Sequence, residues 1–268
     1  MLMKLQSRFY VLLFLFGTVF FCSAQNFDGT NLSSTNPFYG EPPYVFEGSE
    51  NYFISFKTSP EVLRTLVPEP LKPLPGGEMT VIFAKHNIIS PAKIQYKEAF
   101  FVVPVSYGSV YGGFLPVLYL DKIETITPAR EIWGYNKVGA EFSFTEEGSN
   151  AAITVTQMDT IIMKASFILG EPFTPPEQPP GGSVFNLKYI PSVEKNSPPD
   201  VKQITISKLK DDKTAEMRMG TAKLEFYSSR YNPLNQIPIL EVKKAGKKIH
   251  SFSMDHGKVL YDYLKEKK

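Results

Sequence analysis

The chain has one cysteine among 268 residues, Cys22. No disulfide can close within it, so stability has to come from burial. Tryptophan also occurs once, at Trp133, and histidine three times, at His86, His250 and His256. The histidines are scattered, and none sits in H-E-x-x-H spacing, which gives no metal-ligating pattern. G-x-G-x-x-G and P-loop glycine motifs are missing, as is a G-x-S-x-G elbow. Charge of one sign is missing as well. The formal net charge is +2, from 29 basic and 27 acidic residues. That balance argues against nucleic acid as the main partner. No apolar run reaches the roughly 20 residues that span a bilayer.

What the sequence does contain starts with its leader. Lys4 and Arg8 precede an uncharged run from Tyr10 to Phe21, and Cys22-Ser23-Ala24 supplies small residues for cleavage. The expectation is a signal peptide over residues 1–24 and a secreted or periplasmic protein, with no membrane association after cleavage. A lipid anchor on Cys22 and a retained membrane anchor are the alternatives. Cleavage removes two basic residues and no acidic one, so 29 − 2 = 27 basic residues face 27 acidic ones. Asn31-Leu32-Ser33 fits a glycosylation acceptor.

Residues 25–43 read as a polar, extended arm, and residues 44–268 as the folded domain. Hydrophobic residues make up 43% of the chain and aromatics 13%, enough for a sizeable core. Short β-prone runs dominate, among them "YFISFK" (52–57), "MTVIFAK" (79–85), "FFVVPVSY" (100–107), "FLPVLYL" (114–120) and "TIIMKASFIL" (160–169). "VKQITIS" (201–207) and "AKLEFYS" (222–228) follow as two further strands. Several alternate apolar and polar residues, as half-buried antiparallel strands do. Two helices are expected. One follows Ser59-Pro60-Glu61, which supplies a cap, a proline at the first position and an early acid. The other is the C-terminal "GKVLYDYLKEKK", apolar at 259, 260, 263 and 264. "EPFTPPEQPPGG" (171–182) is read as a long loop within one domain. The fold class is a β-rich α+β single domain with a curved or closed, barrel-like antiparallel sheet and a few helices.

The charged residues divide by their surroundings. Glu146-Glu147 and Asp211-Asp212 lie in polar, turn-like stretches and read as solvated charges. "KKAGKK" (243–248) reads as a basic hairpin tip, with a small anion-binding patch as the sharper alternative. Lys137 differs, because Ile132, Trp133, Gly134, Tyr135 and Val138 surround it. Apolar surroundings disfavour a charged amine, and a free amine can attack a ketone to form an imine. The bland alternative is a lysine whose stem lies on Trp133 while its charge reaches water. Glu98 stands at the mouth of an apolar strand, where edge exposure is the bland reading. Arg130 and Glu131 read as an ion pair that fixes the loop before Lys137.

Eight stretches taken in order resemble the acetoacetate decarboxylase family over residues 40–265. They are "PPYVF" (42–46), "LVPEPL" (66–71), "EAFFVVPVSY" (98–107), "LYLD" (118–121), "REIWGYNKVG" (130–139), "LKYIP" (187–191), "NPLNQIPI" (232–239) and "LYDYLK" (260–265). The resemblance implies that Lys137 forms a Schiff base with a small keto-acid substrate, that Glu98 is a second catalytic residue, and that no metal or organic cofactor is used. It implies a pocket formed by Tyr135, Trp133 and Val138, a loop oriented by Arg130 and Glu131, and a homo-oligomer. The chain departs from the family pattern at several points. Asn136 replaces a proline, and Val138 stands where a second lysine belongs. The family's early arginine falls on Ser49 or Glu50, and a second glutamate on Phe83. The implied reaction is decarboxylation of a β-keto acid, with acetoacetate as default. An aldolase or dehydratase acting on pyruvate-like acids stays open, as does a secreted β-barrel that binds a small ligand without catalysis.

Overall fold

The computed structural model describes residues 38–176 and 182–265. The leader over residues 1–24, most of the arm over 25–43, the Asn31 motif and part of the proline-rich connection lie outside the described residues. From Tyr39 onward the chain is one compact unit. Its elements run β1 (Tyr44–Lys57), α1 (Pro60–Leu66), β2 (Lys72–Pro73), β3 (Glu78–Ser90), β4 (Ile94–Tyr107), β5 (Val110–Phe114) and β6 (Leu118–Leu120). Three short helical turns follow, Ile123–Thr125, α2 (Ile126–Pro128) and Ala129–Trp133. Then come β7 (Lys137–Gly139), β8 (Glu141–Glu147), β9 (Asn150–Gln157), β10 (Thr160–Leu169), β11 (Ser183–Ile190), β12 (Val201–Phe226), β13 (Glu241–Met254) and β14 (Lys258–Asp262).

The main sheet runs β11-β5-β4-β3-β1-β13-β12-β10-β9-β8. A further pairing of β11 with β12 closes the strands from β11 round to β12 into a ring. Pairing is antiparallel except between β5 and β11 and between β6 and β7. The ring is not a regular barrel, because β12 serves three neighbours of the main path in turn and takes β14 as a fourth partner. Val201–Lys208 pairs with β11, Leu209–Gly220 with β13, and Gly220–Phe226 with β10. Its register with β13 shifts between Lys210 and Lys213 and between Thr214 and Glu216. Such shifts bend a strand and raise its twist, which lets one strand turn a corner.

Strand alternation produces two apolar clusters on opposite faces of the sheet. On β4, Ala99, Phe101, Val103 and Val105 enter the main core with Phe83 of β3 and Ile54 and Phe56 of β1. Tyr96 and Glu98 point the other way. The second, smaller cluster holds Tyr44, Phe46, Ile88, Leu115, Trp133, Phe252 and Met254. The β4 segment is therefore covered on both faces.

The first helix forms as its sequence predicts. Ser59 Oγ accepts from the Val62 amide at 3.2 Å, Pro60 occupies the first turn, and Leu63 is buried. Caps of this kind contribute about 1 kcal/mol. Three other expectations are corrected. The C-terminal helix is a strand, because Lys258–Ile206 through Asp262–Gln203 pair along β12; an edge partner outweighed weak local periodicity. "KKAGKK" is not a hairpin tip but lies inside β13, between β1 and β12. "VKQITIS" and "AKLEFYS" are the two ends of the single strand β12.

Candidate active site

The residue numbered 137 is placed by the crossover from β6 to β7. Parallel neighbours need a connection that returns to the same end of the sheet, and here the helical turns from Ile123 to Trp133 provide it. The turns end at Gly134, whose φ of 80° lies in the left-handed region. A Cβ there would stand 2.8 Å from the Lys188 amide nitrogen, so only glycine fits. The Trp133 indole donates to the Asp255 carbonyl at 2.8 Å, and the Trp133 carbonyl accepts from Thr205 Oγ1 at 2.6 Å. Arg130 donates to the Lys137 carbonyl at 3.1 Å and to Asn136 Oδ1 at 3.3 Å, while Asn136 donates to the Pro116 carbonyl at 2.9 Å. The loop is thus tied on both sides immediately before Lys137 starts β7.

Lys137 is buried, 7% exposed, and its amine does not reach water along Trp133. Nζ lies 3.1 Å from Glu98 Oε1 and above the rings of Tyr96 and Tyr135, at 5.2 and 5.9 Å. The amine and the carboxylate form a buried ion pair at hydrogen-bonding distance. Glu98 is 4% exposed, which corrects the edge-exposed alternative. Its Oε2 sits 3.5 Å from His86 Nε2, and His86 Nδ1 sits 3.1 Å from Ser49 Oγ. Burial pushes the Glu98 carboxyl up, but Lys137 and His86 together outweigh that and hold it below the usual glutamate range. Burial pushes the Tyr135 hydroxyl up to about 12. These groups open on a cavity of about 320 Å³, whose other lining is mostly apolar.

A second polar cluster borders the same cavity. His250 Nδ1 donates to Asp212 Oδ1 at 2.6 Å, and Nε2 accepts from the Asn51 amide at 2.9 Å. Lys248 Nζ lies 3.7 Å from Asp212 Oδ2. Burial lowers the pKa of His250, and the bond to Asp212 only partly opposes it. The unfolded chain protonates this histidine near pH 6.5, whereas the folded protein resists. Its contribution is therefore fully present above about pH 6.5 and is lost below that value, as pH falls toward the lowered pKa of the folded state. Glu98, held low, contributes above its unfolded value of about 4.3 and loses that contribution as pH falls further. The melting temperature is expected to fall steadily from pH 7 to 5. His250→Gln should flatten that interval and leave the drop below pH 4.5 in place, as read by thermal scans at fixed ionic strength.

The structure brings together Lys137, Glu98, Tyr135 and Trp133 around one cavity. Val138 is a correction. It packs against the main core and not in the pocket, because the residue after Lys137 in a strand points to the opposite face. The Arg130–Glu131 ion pair is another. Arg130 holds the loop through carbonyls and Asn136, while Glu131 accepts from the Tyr39 hydroxyl at 2.7 Å. Glu146 is exposed as expected, and it also pairs with Lys247 at 2.8 Å on the other face of the sheet. Asp212 is half-buried and holds His250, which corrects its reading as a solvated charge. Sequence reasoning missed His86, Ser49 and Asn51. The alternation of "AKHNI" in β3 carried the only signal, since it puts His86 on the same face as Ile88. Among the described residues no three His, Cys, Asp or Glu side chains converge as a metal cluster.

A family model described as acetoacetate decarboxylase matches residues 31–264. The acetoacetate decarboxylase of Burkholderia vietnamiensis is 30% identical over 236 residues, covering 86% of this chain and 93% of its own length. The crystal structure of acetoacetate decarboxylase from Legionella pneumophila superposes with a TM-score of 0.75 at 25% identity, over 88% of this chain and 95% of that one. MppR, an enduracididine biosynthesis enzyme solved with pyruvate, shares the fold at a TM-score of 0.73 and 16% identity, over 85% and 94%.

Proposed function

The chain belongs to the acetoacetate decarboxylase family, and from that premise we propose that it decarboxylates a β-keto acid through a Schiff base on Lys137. The observation that carries this reading is the buried Lys137 amine held 3.1 Å from the buried Glu98 carboxylate beside a cavity. Glu98 takes a proton from Nζ, and the freed amine attacks the ketone carbon. Loss of water, with a returned proton, gives an iminium. The bond between the carboxylate and its neighbouring carbon then breaks, carbon dioxide leaves, and the electron pair moves into an enamine. Protonation of the enamine carbon and addition of water release the ketone and restore the amine. Apolar walls assist the middle step, since a carboxylate in such surroundings loses solvation that carbon dioxide does not need. Neither the lysine after Lys137 nor the charges at the Ser49 and Phe83 positions is available. His86 stands against Glu98 instead.

Borohydride added during turnover of acetoacetate is expected to leave the reduced adduct on Lys137, located by mass spectrometry of the peptide. Carbon dioxide release marks the decarboxylase. An adduct with pyruvate and no gas from any β-keto acid selects aldol or dehydration chemistry, and no adduct with any ketone removes the Schiff-base reading altogether.

A further inference from the structure

The cavity is larger than the default substrate requires. Acetoacetate has seven heavy atoms, and if each took the roughly 30 Å³ of a liquid water, the molecule would fill at most about 210 Å³. The cavity measures about 320 Å³, so at least about 110 Å³ stays open. That is room for three or four methylene-sized groups. Water is a poor occupant, because it needs two to four polar partners and an apolar wall supplies none.

The strand register shows where that space lies. Across the sheet, Glu98 pairs with Ala84, Ala84 with Asn51, and Asn51 with Lys248. His86 stands one side-chain row further along β3. The next row, roughly 7 Å on at two residues of strand rise, is Ile88 paired with Phe46, and Phe46 paired with Phe252. Tyr44 and Met254 follow. The rows beyond His86 are apolar, and so is the wall on the other side of Glu98, where Ile82, Phe100 and Val102 line the cavity. Phe46 and Phe252 stack on each other at 4.4 Å, and both line the cavity.

We propose that the substrate is a 3-oxo acid carrying an apolar substituent on the side of the ketone away from the carboxylate. A straight chain of about four carbons beyond the acetoacetate methyl fits. This deepens the Schiff-base reading and rests on it. The reaction balances as one 3-oxo carboxylate and one proton giving one methyl ketone and one carbon dioxide. The ketone bonds to Lys137, and the chain lies along Ile88, Phe46 and Phe252.

The test compares 3-oxooctanoate with acetoacetate on the wild-type protein. Each buried methylene is worth about 0.8 kcal/mol, so kcat/KM is expected to be about 200-fold higher for the longer acid, which has four more carbons. 2-Heptanone should likewise bind about 200-fold more tightly than acetone, read by calorimetry without turnover. Met254→Trp, which fills the wall, should lower the ratio of the two kcat/KM values, with its melting temperature checked for folding. Equal kcat/KM values and equal ketone affinities overturn the substrate class and leave the Schiff base standing. Tight 2-heptanone binding with no borohydride adduct supports the apolar ligand class and overturns the Schiff base.

Discussion

Lys137→Met is expected to abolish both borohydride trapping and gas release, with turnover reduced by more than about 10⁴-fold. Removing the one group that bonds to substrate leaves only binding and surrounding electrostatics, which is why such losses are large. Methionine keeps the volume but removes the charge that faces Glu98. The pair is buried on both sides, and stripping one partner from a buried pair costs about 3–5 kcal/mol because the other charge stays behind. The variant should therefore melt lower than the wild type. Lys137→Met combined with Glu98→Gln should recover most of that loss and none of the activity, since two neutral groups no longer leave an orphan charge. Glu98→Gln alone should slow turnover about 10²–10⁴-fold, the range for a positioned proton-transfer group, while slow trapping on Lys137 persists. If Lys137→Met retains decarboxylation, the amine is not the nucleophile.

Gly134→Ala is expected to be the most destabilising single methyl in the loop. Its φ of 80° costs an alanine about 1–2 kcal/mol. The added Cβ also meets the Lys188 backbone, which cannot turn aside as a side-chain tip would. Overpacking of that kind adds about 1–3 kcal/mol. A total near 3 kcal/mol lowers the melting temperature by roughly 6–12 °C in a chain of this size. Gly148 supplies the control. Its φ is also positive, at 60°, but nothing lies within 4 Å of its Cβ position. Gly148→Ala should show the backbone cost alone. Because Gly134 stands three residues before Lys137, its variant should also lose activity at temperatures where it remains folded. Equal melting shifts for the two variants would remove the close-approach argument.

The sequence settled those features that depend on neighbours along the chain. Alternation in "MTVIFAK" and "FFVVPVSY" marked strands, and Ser59-Pro60-Glu61 marked the first helix, since caps and pleats are local. The eight ordered stretches carried the family, and with it the importance of Lys137. Locally that lysine could equally have lain along Trp133 with its charge in water. Only the tertiary structure buried it, by covering β4 on both faces and setting β7 beside β6, so that its amine faces the buried carboxylate of Glu98. The same packing set His86 of β3 against the carboxylate and Ser49 of β1 against His86, and turned Val138 toward the main core. It also drew the C-terminal segment into a strand along β12. Chain order fixes which groups are available and which face of a strand each can occupy. Which charges meet, and how large a space they share, follows from closure of the sheet, a contact between distant residues that no local pattern encodes.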